Sequence, residues 1–223
     1  MIKAVIFDMF ETLITHYNSP LYFGSQMAVD AKLSDDKFLP LWRQKEDDRT
    51  LGKITLEENL AMILRENNCY SADIIKKLAD KRRDAKRKCF ENMHPEIIPM
   101  LSALKEKGLL IGLISNCFSE EAEVIRGSVL FEYFDAVCLS CEMGVCKPDK
   151  RIFQNCIDAL GVSAEECLYV GDGGCYELET AQSLGMKPIQ AAWYLKEGTK
   201  QPSKIKPEFS PASSPQEIAM LHR

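Results

Sequence analysis

The chain has 223 residues, with 28 basic against 33 acidic side chains and a net charge of −5 at neutral pH. That balance speaks against nucleic-acid binding, which shows as a basic patch, and a hydrophobic share of 46% is ample for a packed core, so disorder is not the default reading. No run approaches the roughly 20 apolar residues of a membrane span, no targeting signal is visible, and the nine cysteines, odd in number and without a tight framework, read as free thiols in a reducing cytoplasm.

The chain opens on a mainly apolar, β-branched run over residues 2–7, a buried strand that stops at Asp8. From about residue 19 to 90 the pattern is helical, with helices expected over 38–50, 56–67 and 71–90. Thr55 with Glu58 three residues on has the spacing of a capping box. The basic run Lys81-Arg82-Arg83 to Lys86-Arg87-Lys88 also holds Asp84, follows Asp80, and reads as a solvated helix face. After His94-Pro95 helices and strands alternate. Helices are expected over 96–107, 120–125 behind Ser119 as N-cap, 150–160 and 177–184, and strands over 109–114, 136–139, 167–170 and 188–192. Strands spaced in this way pair in parallel through right-handed crossovers. The tail over 202–215 is rich in Pro and Ser and reads as irregular, ahead of a closing helix at 216–222. The expected architecture is α/β: a Rossmann-like parallel sheet core built from residues 1–15 and 94–223, interrupted by a helical insert over 16–93.

In open parallel sheets, ligands bind at the carboxyl ends of the strands. That rule selects Asp8, Ser115-Asn116 and Gly171-Asp172. Within Phe7-Asp8-Met9-Phe10-Glu11-Thr12-Leu13, Asp8 points a carboxylate into the crevice, where it can serve as a nucleophile; an isolated Asp there more commonly caps a turn. In Leu113-Ile114-Ser115-Asn116 the serine hydroxyl can donate to a phosphoryl or carboxylate oxygen, although alone it reads as a turn residue. Lys147, in Lys147-Pro148-Asp149, offers a fixed ammonium to neutralise a carboxylate and a transferring group, whereas a lone lysine is ordinarily a solvated charge. Tyr169-Val170-Gly171-Asp172-Gly173-Gly174, with Glu177 five residues after Asp172, sets two acids beside a small-residue turn, and such acids suit a hard cation such as Mg²⁺. Cys138 and Cys141, with Cys146 beyond, have the spacing of half a zinc site that no second pair or nearby His completes.

Together, in this order, the four segments resemble the four motifs of the haloacid dehalogenase superfamily, over residues 2 to about 192. The insert resembles that superfamily's mobile helical cap. The resemblance implies that Asp8 is the nucleophile, that Ser115 and Asn116 bind the transferred group, and that Lys147 steadies its charge. It implies Mg²⁺ held by Asp8, the backbone carbonyl of Phe10 and Asp172, with Thr12, Glu177, Gly171 and Gly173 in support.

Position 10 departs from the phosphatase pattern. Phosphatases of the superfamily generally place a second Asp there as general acid and base, a role typically worth about 10²–10⁴-fold, and the phenyl ring of Phe10 cannot transfer a proton. Haloacid dehalogenases have an aromatic residue at this position, and Leu41-Trp42-Arg43-Gln44-Lys45 resembles their cap sequence. The fourth motif points the other way. Dehalogenases work without metal and carry Ser and Asn in this region, while Asp172 adds a negative charge beside Asp8 that calls for a cation. The expected function is a Mg²⁺-dependent phosphohydrolase acting on a small phosphorylated metabolite through an aspartyl-phosphate. Two alternatives stand beside it: a metal-free dehalogenase using Asp8, and a binding or regulatory member of the fold. Phe10 motivates the last, and the retained Asp8, Lys147 and Asp172 count against it. Candidates for contact with the unreacting part of the substrate are His16, Tyr17, Arg43, Lys45 and Arg49, each expected to face solvent, while Trp42 reads as packing inside the insert. Cys117, Cys146 and Cys175 lie near the motifs and read as small buried space-fillers, with oxidation as the alternative.

Overall fold

A strand with no polar face must be covered on both sides, and β1 (Ala4–Phe7) is buried at every position. It lies inside a parallel sheet of six strands, in the order β3-β2-β1-β4-β5-β6. The others are β2 (Leu110–Ser115), β3 (Ala136–Leu139), β4 (Cys167–Gly171), β5 (Lys187–Ala191) and β6 (Ser210–Ala212). This is a computed structural model, and it describes residues 1–195 and 203–220.

Alternation along each strand sends side chains to two apolar layers. Val5, Phe7, Ile111, Leu113 and Val170 pack with Met100 and Ile218 on one face. Ala4, Ile6, Ile114 and Tyr169 pack with Phe153 and Ile157 on the other. The layers come from α6 (Ile97–Glu106), α7 (Ser119–Arg126), α8 (Ser140–Met143), α9 (Lys150–Leu160), α10 (Glu177–Ser183) and α11 (Pro215–Met220). The expected α/β parallel architecture is therefore present. Among the described residues, no helix is long and apolar enough to cross a membrane.

Between β1 and α6 the chain runs through α1 (Gly24–Asp30), α2 (Asp35–Gln44), α3 (Glu46–Thr50), α4 (Leu56–Glu66) and α5 (Ala72–Glu91). These helices close around an apolar core of their own, including Met27, Phe38, Leu60, Ile63 and Leu78. The capping box forms as its spacing predicts: Glu58 N–H donates to Thr55 Oγ1, and Thr55 N–H donates to Glu58 Oε2.

Four expectations need correction. The single helix over 38–50 breaks at Lys45, whose φ of −107° and ψ of 14° leave the helical region. Glu46, Asp47 and Asp48 then fill the first turn of α3, where acids are favoured by the helix dipole. Ser119 is the first helical residue of α7 and Phe118 its cap; the Phe118 N–H donates to the Glu121 carboxylate at 3.0 Å. The Pro/Ser-rich tail contains a strand, β6, with Pro211 inside it. An edge strand tolerates proline, since the missing donor is not needed on its open side, and among the described residues β6 pairs with β5 alone. The closing helix starts at Pro215; residues 221–222 of the expected helix, and Pro202 of the tail, lie outside the described residues.

The fourth correction concerns the basic run. Arg82 and Lys86 are buried, not solvated. Arg82 donates from Nε to Glu120 Oε1 at 2.6 Å and from Nη2 to Glu121 Oε1 at 3.1 Å, and Lys86 Nζ lies 2.6 Å from the same Glu121 oxygen. Arg83 reaches Glu123 at 2.7 Å. Thus α5 meets the acidic first turns of α7 across a charged seam. A second contact is made by backbone: Gly52, at φ +68°, lies so close to α8 that a Cβ would come within 1.8 Å of the Cys141 carbonyl oxygen. Only glycine accommodates both the positive φ and that approach.

Candidate active site

Parallel register places the carboxyl ends of β2, β1 and β4 side by side. Asp8 follows β1 directly, its N–H donating to the Val170 carbonyl at 2.9 Å. Lys147 enters from the loop before α9, and its backbone is gripped by Asn116: Lys147 N–H donates to Asn116 Oδ1 at 2.7 Å, and Asn116 Nδ2 donates to the Lys147 carbonyl at 3.0 Å. Its Nζ donates to Asp8 Oδ1 at 2.6 Å and to Glu177 Oε2. Tyr169 OH donates to that same Glu177 oxygen at 2.9 Å. Glu177 Oε1 accepts the Gly173 N–H at 3.0 Å, and Asp172 Oδ1 accepts the Gly174 N–H at 3.0 Å. Gly171 makes room for this: a Cβ on it would sit 2.1 Å from Glu177 Oε1.

Asp8, Asp172 and Glu177 are all buried and offer oxygens within 4.8 Å of one another. Burial drives the Asp8 pKa well above its ordinary value; Lys147 pulls it down by less, and Glu177 and Asp172 add to the rise. Asp172 is pushed up to about 6, by burial first and by Glu177 second. Burial opposes the Lys147 charge, but Asp8 and Glu177 outweigh it and hold that pKa above its ordinary value. One ammonium therefore faces three crowded carboxylates. A donor set of buried carboxylate oxygens in excess of its internal cation fits a hard divalent ion such as Mg²⁺. Two buried hydroxyls near these strand ends, Thr12 Oγ1 and Ser115 Oγ, have no hydrogen-bond partner among the described residues, and such groups ordinarily find one. They suit a ligand oxygen.

Around position 10 the chain builds an aromatic stack. The Phe10 ring lies on His16 at 4.8 Å and 18°, and Lys86 Nζ is 5.2 Å from the Phe10 centroid. Glu11, at φ +59°, turns its carboxylate to accept from Thr15 Oγ1 at 2.6 Å and from the His16 N–H at 3.0 Å. Burial, seconded by Lys86, lowers the His16 pKa and favours a neutral ring.

The other candidates divide. Arg43 is exposed, as expected, and Lys45 is half-buried beside Asp48 at 3.1 Å. Tyr17 is exposed, whereas His16 is largely covered. Arg49, expected in solvent, is 1% exposed. Its guanidinium is held 3.7 Å from the centroids of both Trp42 and Phe118, because the turn at Gly52 seats α3 directly on the core. Burial, with the like charge of Arg82, brings its pKa down to about 10 against the opposing pull of Glu120. Cys117 is buried, with Sγ 3.9 Å from Cys141 Sγ; Cys146 is half-buried and Cys175 exposed, so the space-filler reading fails for the last.

Sequence reasoning did not single out Tyr169, Gln190 or Trp193. Gln190 Nε2 donates to the Asp172 carbonyl at 2.8 Å, and Trp193 Nε1 to the Thr12 carbonyl at 2.8 Å. Tyr169 carried a usable signal, since its place on β4 two residues before Gly171 puts a buried phenol on a face where it needs a partner.

A parallel α/β sheet with carboxylates and a lysine gathered at its carboxyl edge has the build of a hydrolase. The chain matches the haloacid dehalogenase-like hydrolase family over residues 2–185 and belongs to that family. It is 31% identical over 98 residues to the phosphoserine phosphatase of Thermus thermophilus, a match covering 44% of this chain and 39% of that protein. The chain thus spans about two-fifths of the length of that relative. It is 22% identical over 200 residues to (S)-2-haloacid dehalogenase 4A of Burkholderia cepacia, covering 85% and 82% of the two. Among solved structures, a family enzyme of Bacteroides thetaiotaomicron, crystallised with magnesium and inorganic phosphate, shares the fold at a TM-score of 0.63 and 19% identity, covering 91% of this chain and 98% of that one.

Proposed function

We propose that the chain is a Mg²⁺-dependent phosphohydrolase acting on a small phosphorylated metabolite. The observation that carries this reading is the buried set Asp8, Asp172 and Glu177 facing the single ammonium of Lys147. A Mg²⁺ ion held by Asp8, Asp172 and the backbone carbonyl of Phe10, with Glu177 beside them, would neutralise both these carboxylates and the incoming phosphoryl group. Asp8 then attacks phosphorus, the ester P–O bond breaks, and the alcohol departs, leaving an aspartyl-phosphate. Water attacks that phosphorus, releasing inorganic phosphate and restoring Asp8. Lys147 offsets the charge on Asp8, and the free hydroxyls of Ser115 and Thr12 are donors for phosphoryl oxygens. Phe10 gives no proton, so the leaving oxygen takes one from solvent.

The reading is tested with a panel of phosphate esters assayed with and without Mg²⁺. Turnover should require Mg²⁺ and vanish with EDTA or in Asp172→Asn; ester hydrolysis that survives chelation sinks the metal-dependent reading. Phe10, and the similarity to a haloacid dehalogenase along most of the chain, favour a second reading. Halide release from 2-haloacids without metal would replace the first with it.

Proton linkage adds a further expectation. The folded pKa of Asp172, about 6, is raised above its unfolded value. The stability this gives to the metal-free chain is full below about pH 4 and lost as pH rises through about 6. A cation competes with that proton, so the gain in melting temperature on adding Mg²⁺ should be larger at pH 7 than at pH 5. Equal gains at both pH values would contradict Asp172 as a ligand.

A further inference from the structure

Arg49 is more buried than a cation of its surroundings should be. Three cations, Arg49, Arg82 and Lys86, meet two carboxylates, Glu120 and Glu121, along the seam between α3, α5 and α7. Glu11 stands beyond His16 and is engaged with His16 and Thr15, and Glu46, on the same helix as Arg49, is exposed to water. Arg83 pairs with Glu57 and Glu123 at the seam's exposed edge, so among its buried groups the seam carries one positive charge more than its carboxylates balance.

Both flat faces of the Arg49 guanidinium are covered by aromatic rings. Its Nη2 donates to Glu120 Oε1 at 3.3 Å, an oxygen that Arg82 already holds at 2.6 Å. Among the described residues Nε and Nη1 find no partner, nor does Glu120 Oε2, so the contact is one long bond and not a closed fork. Leaving a buried donor unmade is costly, and a Met or Leu between two rings would avoid that cost. Phe118 follows Ser115 by three residues, so the sandwich rests on the loop leaving the strand beside β1 and Asp8.

We infer that Arg49 recognises a second anionic group on the substrate, a carboxylate or second phosphoryl group carried by the leaving alcohol. The free donors of a guanidinium match either group. This inference rests on the phosphohydrolase reading and narrows its substrate class to phosphate monoesters with a further negative charge.

The test is binding to the Asp8→Asn protein with Mg²⁺, followed by calorimetry and by the fluorescence of Trp42. Three probes are compared: ethyl phosphate, phosphoglycolate and ethane-1,2-diyl bisphosphate. At least one of the two doubly anionic probes should bind about tenfold or more tightly than ethyl phosphate, the effect expected of a charge-assisted hydrogen bond. Whichever of them binds better identifies the carboxylate or the second phosphoryl group as the recognised anion. Adding Arg49→Met should bring that ratio to about one, and Arg49→Lys should keep part of it. A ratio near one in the parent, or one that persists in Arg49→Met, overturns the inference. So does an equal weakening of all three probes with a fall in melting temperature, which would make Arg49 a structural pillar. Failure of the phosphohydrolase reading shows separately: the wild-type chain would hydrolyse none of the three esters while the binding ratio still answered to Arg49.

Discussion

Replacing Asp8 with Asn should reduce ester hydrolysis by about 10⁴-fold or more, the scale seen when a nucleophile is removed from a catalytic unit. The amide keeps the shape of the side chain and cannot attack phosphorus. The fold should survive, because Lys147 retains its bond to Glu177 and Asn116 still grips its backbone. Activity in the presence of Mg²⁺ and the melting temperature are therefore read together. A melting temperature within a few degrees of wild type, with hydrolysis gone, is the expected pair. Residual hydrolysis within tenfold of wild type would show that Asp8 is not the attacking group.

Lys147→Met is expected to act on stability as strongly as on turnover. Nζ bonds to both Asp8 and Glu177, and all three residues are buried. Taking out one partner of a buried ion pair costs about 3–5 kcal/mol, since the other charges are left uncompensated. For a chain of this size that corresponds to a fall in melting temperature on the order of 10 °C. A purely catalytic lysine would leave the melting temperature alone, and that result would refute the charge-balance account. Added Mg²⁺ should return part of the loss, because the carboxylates regain a cation.

Much of the core was legible in the sequence. Buried strands read as uninterrupted apolar runs, and their ends fall at polar residues, so Asp8, Ser115 and Asp172 could be placed at the edge of a sheet before any coordinates. Helix α9 has the bounds its periodicity predicts, Lys150–Leu160. What could not be read was set by partners distant in sequence. Arg82 and Lys86 look like any solvated lysine-arginine run until Glu120 and Glu121 come opposite them. Arg49 looks exposed until Gly52 lets its helix sit on Cys141. Strand β6 hides in a composition that suits a loop, and only its place at the sheet edge makes Pro211 acceptable. At the site, Asn116 illustrates the same limit: its type suggested ligand binding, while its geometry spends both ends of the amide on the backbone of Lys147.

The seam between α5 and α7 has one more consequence. An interface closed by apolar side chains resists separation, because parting it exposes hydrocarbon to water. Along most of this seam the groups that face each other are guanidinium, ammonium and carboxylate, which would recover their hydration on parting and offset much of the attraction lost. Only Cys89 and Phe90 at the end of α5 join the apolar cluster that holds Ala122, Val124 and Ile125 of α7. The helices of the insert also bury most of their apolar side chains against one another, in an oily interior of their own. Contact made largely of ions therefore costs less to part than an apolar one of the same area, and it accepts only a surface of matching charge.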